Sequence, residues 1–144
     1  MAEGTTEESW QGKDFLDRES LLSEQYARLR PAIDLLLAQN PFYRDKLEQA
    51  GLTSGSDLTA ETFLNVPFTT KEELSSDQDE HPPYGRNLTY PLTDYTRLHQ
   101  TSGTTGRPLR WLDDREGWEW FGKGWRAVFE AAGVGQEDRI FFAF

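Results

Sequence analysis

Cysteine is absent from this 144-residue chain. That absence excludes disulfides and thiolate metal sites, and it fits a reducing cytoplasm. Positive charge is scarce: 15 Lys and Arg stand against 25 Asp and Glu, for a net charge of -10. Sequence-independent binding to nucleic acid or to an anionic membrane rests on clustered Lys and Arg, so neither partner is expected. A local cationic spot at a nucleotide site is compatible with that average. Long apolar runs are missing as well, and nothing approaches the roughly 20 residues that span a bilayer. The start, Met1 to Trp10, is acidic and lacks the apolar stretch of a secretory signal. No internal repeat is visible. These absences point to a soluble cytoplasmic protein, long enough for one domain with its own core.

What is present is aromatic and periodic. Residues 1–19 are polar and acidic and read as a loose tail. From Ser20 the apolar residues Leu22, Tyr26, Leu29, Ile33 and Leu36 mark one helical face. Pro31 lacks an N–H and is expected to kink or interrupt this helix near Ala27. Asn40 and Pro41 form a helix start, and Gly51 is the expected left-handed stop. Phe42, Tyr43 and Leu47 supply the core face between them. A loop over 53–57 and a short helix over Ala60–Asn65 follow. Thr70 with Glu73 then reads as a capping box for a helix ending near Ser75. Ser76 to Thr93 is polar and without period, which implies a long connecting loop.

The pattern changes at Tyr95. Alternation over Tyr95–Gln100 predicts a strand that places Tyr95, Arg97 and His99 on one side. Leu109–Leu112 is a second short strand. Asp113 or Asp114 is expected to cap a helix of about 17 residues. Trp118, Phe121, Trp125, Val128 or Phe129, and Ala132 would be its buried stripe, and Gly133 its end. Gly122 and Gly124 suggest close approach of another backbone. Val134 to Asp138 reads as a turn, and Ile140–Phe144 as a buried strand.

Between the two strands lies Thr101-Ser102-Gly103-Thr104-Thr105-Gly106-Arg107-Pro108. Four hydroxyls and two glycines occupy its first six residues. Glycines permit positive φ and expose N–H groups, which can form an anion-binding nest. The hydroxyls add rotatable donors, and Arg107 adds a fixed charge with a planar fork. These are the parts of a phosphate clamp, although a hydrophilic surface turn would use the same residue types. The spacing is not that of a Walker A loop.

His99 to Pro108 resembles the phosphate-binding signature of the adenylate-forming enzymes. The blocks Asn40–Leu47, Ala50-Gly51 and Val66–Leu74 resemble the amino-terminal region of phenylacetate–CoA ligases. The resemblance covers residues 20–144, as the N-terminal part of an AMP-binding domain. It implies an α/β fold: a helical N-terminal region, then the first strands and a helix of the large adenylate-forming domain, truncated. It also implies a two-step reaction in which a carboxylic acid, aromatic among the options, meets ATP, Mg²⁺ and coenzyme A. Thr101, Ser102, Gly103, Thr104, Thr105, Gly106 and Arg107 would hold the ATP phosphates. Arg107 stands where the family has lysine, and the two are not interchangeable. Catalytic residues are expected beyond Phe144, so the chain alone is not expected to ligate. No residue is assigned to a metal, and a homodimer is left open for a full-length protein. Two alternatives stay open: an adenylating enzyme with another acyl acceptor, and a non-catalytic interaction module.

Several residues carry two readings. His99 could orient a phosphate or the loop, or be structural. Arg97 could pair with a carboxylate. Trp118, Trp120 and Trp125 could line an aromatic pocket, but their spacing favours core. Phe142 and Phe144 could border an acyl pocket, with a core role favoured. Asp113 and Asp114 favour capping over a metal pair. His81 and Lys71 read as solvated.

Overall fold

Asp17 starts the first helix. In the computed structural model, which describes residues 17–102 and 108–141, its carboxylate accepts the backbone N–H of Ser20 at 2.9 Å and the Ser20 hydroxyl at 2.8 Å. Those bonds hold the Asp17 carboxyl below the usual carboxylate range. Helix α1 therefore begins at Arg18, two residues earlier than the apolar pattern indicates, and runs to Gln39. Pro31 lies inside it and does not end it. Proline removes a single donor, and the packing of Ile33 and Leu36 just beyond carries the helix on.

The described chain falls into two compact units, residues 17–38 with 43–67 and residues 39–42 with 68–141. The first is helical. Its core joins Ile33 of α1, Leu47 of α2 (Pro41–Gln49), and Leu52 and Leu58 from the loop that follows. Tyr26, Leu36, Leu37, Tyr43 and Val66 pack around them. Gly51 ends α2 with φ +82°, as expected. Arg44 donates from Nη2 to the Ala38 carbonyl at 2.7 Å and from Nε to that of Leu37. A cation thus satisfies carbonyls that the end of α1 leaves open.

The loop over 53–57 contains a 3-10 turn, Gly55–Asp57, that the sequence pattern does not reveal. Asp57 Oδ2 accepts from the Thr53 N–H, the Thr53 hydroxyl and the Ser54 N–H, at 2.8 to 2.9 Å. The Thr53 N–H, then its hydroxyl, hold the Asp57 carboxyl below its ordinary value. The stabilisation is present above the ordinary carboxylate range and is lost as pH falls through the lowered value.

Asp34 Oδ1 of α1 accepts the Gly55 N–H at 2.7 Å. That bond brings Gly55 onto the backbone of Arg30, where a Cβ would collide with the carbonyl. Gly55→Ala is therefore expected to lower stability by about 1–3 kcal/mol, read by denaturant unfolding. An unchanged midpoint would refute this packing. Helix α3 (Ala60–Leu64) follows a Thr59–Thr62 capping box.

In the second unit, Thr70 and Glu73 form the expected capping box for α4. The helix does not stop near Ser75. It spans Lys71–Glu80, so Ser76–Glu80 is helical rather than loop. Its second half is fixed by polar bonds, which leave no apolar period to read. Asp77, 5% exposed, accepts the Arg86 N–H at 2.6 Å and Arg86 Nε at 2.8 Å. The turn between them uses Gly85 at φ +79°.

The irregular stretch beyond is similarly tied. Asn40, 2% exposed, donates to Asn87 Oδ1 and Thr89 Oγ, both at 3.1 Å. The Tyr95 hydroxyl accepts the N–H groups of Thr89 and Tyr90.

Strand β1 (Tyr95–Gln100) and strand β2 (Arg110–Asp114) form an antiparallel hairpin. Asp114 caps α5, which runs Arg115–Ala131. The element order is the expected one: helices first, then two strands and a helix. Two expectations fail here. The aromatic stripe of α5 is not buried among the described residues: Phe121 is 52% exposed and Trp125 45%. Gly122 and Gly124 face open space. Helical spacing identifies an apolar face but not what covers it. Likewise Ile140 and Phe141 are exposed and not in a strand, since β1 and β2 pair only with each other among the described residues. Residues 142–144, and with them Phe142 and Phe144, lie outside the described residues.

Candidate functional site: the neck of the hydroxyl and glycine loop

The hairpin brings the two ends of the loop together. Its register pairs Leu98 with Leu112, His99 with Trp111, and Gln100 with Arg110. One step further, the Thr101 N–H donates to the Leu109 carbonyl at 3.0 Å. The Leu109 N–H donates back to the Thr101 hydroxyl oxygen, also at 3.0 Å. These two bonds tie Thr101 to Leu109 and fix a base at the ends of the two strands. Thr101 Oγ is an acceptor in that base, and its own hydrogen is still a donor. Ser102 is exposed at the mouth. Gly103, Thr104, Thr105, Gly106 and Arg107 lie outside the described residues.

The base is braced from α4. Gln78 Nε2 donates to the Arg110 carbonyl at 2.6 Å, and the Arg110 N–H donates to Gln78 Oε1 at 3.0 Å. One side-chain amide satisfies both backbone groups on the outer edge of β2. Arg110 also donates from Nη1 to the Pro83 carbonyl at 3.1 Å. Leu109 is buried. Gln78 and Arg110 carry no sequence signal for this role, because Gln78 sits in a polar stretch without period.

His99 and Arg97 lie on one side of β1, as the alternation predicts. His99 Nε2 is 2.9 Å from Asp113 Oδ2, and its ring stacks on Trp118 with centroids 5.4 Å apart. The Arg97 guanidinium sits 4.3 Å from the centre of the same indole, a cation–π contact. Trp118 therefore ties α5 to the strand that enters the loop. Asp113 serves His99, while Asp114 Oδ1 accepts the Gly117 N–H at 2.7 Å as the cap. Beyond Trp118 an aromatic ladder continues through Phe121, Trp125 and Phe129, with centroids 5.2 to 6.2 Å apart. It lines an open recess of about 980 Å³. His81 and Lys71 are exposed. No helix among the described residues is long and apolar enough to cross a membrane.

No family model matches the chain. The phenylacetate–coenzyme A ligase of Thermus thermophilus is 34% identical over 93 residues, which is 65% of this chain and 20% of that enzyme. That of Pseudomonas putida is also 34% identical, over 62% of this chain and 19% of its own length. The chain thus spans about a fifth of the curated relatives it matches. A crystal structure of 2-hydroxyisobutyryl-CoA ligase, in complex with 2-HIB-AMP and CoA, superposes with a TM-score of 0.61 at 31% identity. The match covers 81% of this chain and 23% of that one. The same ligase in its postadenylation state with 2-HIB-AMP gives a TM-score of 0.61 at 28% identity, over 81% and 22%. In sequence the chain is thus similar to a segment of two phenylacetate–CoA ligases, and in fold to a segment of a 2-hydroxyisobutyryl-CoA ligase.

Proposed function

We propose that this chain supplies the phosphate-holding part of an ATP-dependent acid–CoA ligase. One observation carries the reading: the Thr101–Pro108 string sits on a closed hairpin base that leads through β2 into α5. Its donor set suits a polyphosphate. Ser102, Thr104 and Thr105 offer hydroxyl hydrogens, Gly103 and Gly106 offer approachable N–H groups, and Arg107 offers a fixed positive charge. Thr101 contributes mainly the base, through its bonds to Leu109.

In this reading the loop grips the β- and γ-phosphates of ATP. An oxygen of the substrate carboxylate attacks the α-phosphorus. The α–β bridging bond breaks and its electrons leave with pyrophosphate. The loop lowers the barrier by neutralising charge that gathers on that leaving group. Mg²⁺ would add to the same neutralisation, and no residue of this chain is assigned to it. The thiol of coenzyme A then attacks the acyl carbonyl, and AMP departs. CoA as acceptor is favoured over other acceptors by the likeness to a ligase bound to CoA and an acyl-AMP. ATP and CoA as substrates, with a cysteine-free chain, agree with the cytoplasm.

The test is pyrophosphate and ATP binding by the 144-residue protein, measured by calorimetry. The double variant Thr104→Ala and Thr105→Ala is expected to bind at least about tenfold more weakly, or about 1.4 kcal/mol. Equal affinity for the double variant, or no binding by the unaltered protein, would sink the reading.

A further inference from the structure

The phosphate string accounts for the loop but not for what holds its base. Three observations converge on one side chain. Gln78 meets both backbone groups of Arg110, at 2.6 and 3.0 Å. Arg110 is the residue after buried Leu109, whose N–H and carbonyl close the loop on Thr101. Gln78 follows Asp77 on α4, and Asp77 is buried and accepts two bonds from Arg86.

Geometrically, the Gln78 amide acts as a one-residue edge strand. Its primary amide turns one donor and one acceptor to the same side, and they meet the N–H and the carbonyl that Arg110 presents at the free edge of β2. Edge backbone that is exposed to water exchanges partners readily. At Arg110 that freedom is removed on the exit side of the loop, where no third strand is described.

We infer that Gln78 is a positioning residue for the Thr101–Leu109 loop base, acting through Arg110. The first half of this inference, control of the base, stands on the bonds above. The second half, an effect on phosphate binding, rests on the proposed function.

Glutamine is specific for the task. Glutamate at 78 keeps an acceptor for the Arg110 N–H but cannot donate to the Arg110 carbonyl when ionised. Leucine keeps the approximate volume and loses both bonds. The order of the variants therefore reports hydrogen bonding rather than size.

The experiment compares the 144-residue protein with Gln78→Leu and Gln78→Glu. Residue-resolved amide hydrogen exchange follows Thr101 and Leu109, and calorimetry follows inorganic pyrophosphate. Gly55→Ala, in the other unit, controls for general loss of stability. Exchange at Thr101 and Leu109 is expected to quicken at least tenfold in Gln78→Leu and less in Gln78→Glu. Exchange at Leu52 should not change in either. Pyrophosphate affinity should fall about fivefold or more in Gln78→Leu, and Gly55→Ala should leave both readouts at the loop base unchanged.

A lower melting temperature with unaltered exchange at Thr101 and Leu109 would overturn the inference. Faster exchange with undiminished pyrophosphate binding would overturn its second half, the effect on phosphate binding. If Gln78→Leu does not fold, Gln78→Glu decides the same questions. If the unaltered protein binds no pyrophosphate, the phosphate reading fails, and exchange alone decides whether Gln78 controls the base.

Discussion

Leu52→Ala is expected to cost about 3–4 kcal/mol of stability, near the middle of the range for fully buried leucines. Leu52 is 0% exposed and Leu58 1%. Both stand in a core with Ile33 and Leu47, and that core has few members to share a loss. Leu52 is also fixed at its backbone: its N–H donates to the Leu47 carbonyl at 2.9 Å, just past the positive-φ turn at Gly51. A cavity left there has little freedom to collapse. The measurement is urea unfolding followed by circular dichroism. Leu64, 83% exposed, supplies the internal contrast: Leu64→Ala should change stability by less than about 0.5 kcal/mol. A Leu52→Ala loss as small as that of Leu64→Ala would mean that the first core is wrongly placed. Leu58→Ala should resemble Leu52→Ala, and the pair should not add, because the two share one core.

The same two leucines show where sequence reasoning stops. They lie in or beside a Ser/Gly/Asp loop and belong to no period, so nothing local marks them as the most buried side chains. What was legible depended on short-range chemistry. Thr70 with Glu73, and Asp114 with Gly117, are caps whose partners lie within three residues. The hairpin was legible because alternation and glycine content sit side by side along the chain. The extension of α4 to Glu80 was not, because its support comes from Arg86 across a turn. For a related reason Pro31 does not interrupt α1: the packing of Tyr26 before it and of Ile33 and Leu36 beyond it carries the helix through. The α5 stripe is apolar, as its period indicates, yet exposed among the described residues, because helical spacing marks a face and not its cover. At the candidate site, the string at 101–108 was legible as anion-friendly chemistry. Its base was not, since the partner of Arg110 is Gln78, thirty-two residues away in sequence.

Asp77→Ala is the second large effect, expected at about 2–4 kcal/mol by the same unfolding measurement. Two bonds to a carboxylate are lost, each worth about 1.5–3 kcal/mol when charge-assisted, though they are not additive. The Arg86 side chain is 41% exposed, against 4% for Asp77, so water screens that half of the pair. The backbone N–H of Arg86, at 2.6 Å from Oδ2, is then the stronger tether. It follows that Arg86→Ala should cost less than Asp77→Ala, because the backbone bond survives the loss of the guanidinium. The reverse order would show that the side-chain ion pair, not the backbone bond, fixes the turn. Asp77 also adjoins Gln78 on α4, so its loss should loosen the loop base along with the turn. Faster amide exchange at Thr101 and Leu109 should therefore accompany the fall in stability in Asp77→Ala, whereas Leu52→Ala should lower stability without it. A fold-wide loss and a loss local to the loop base are separated in this way by two substitutions of similar cost.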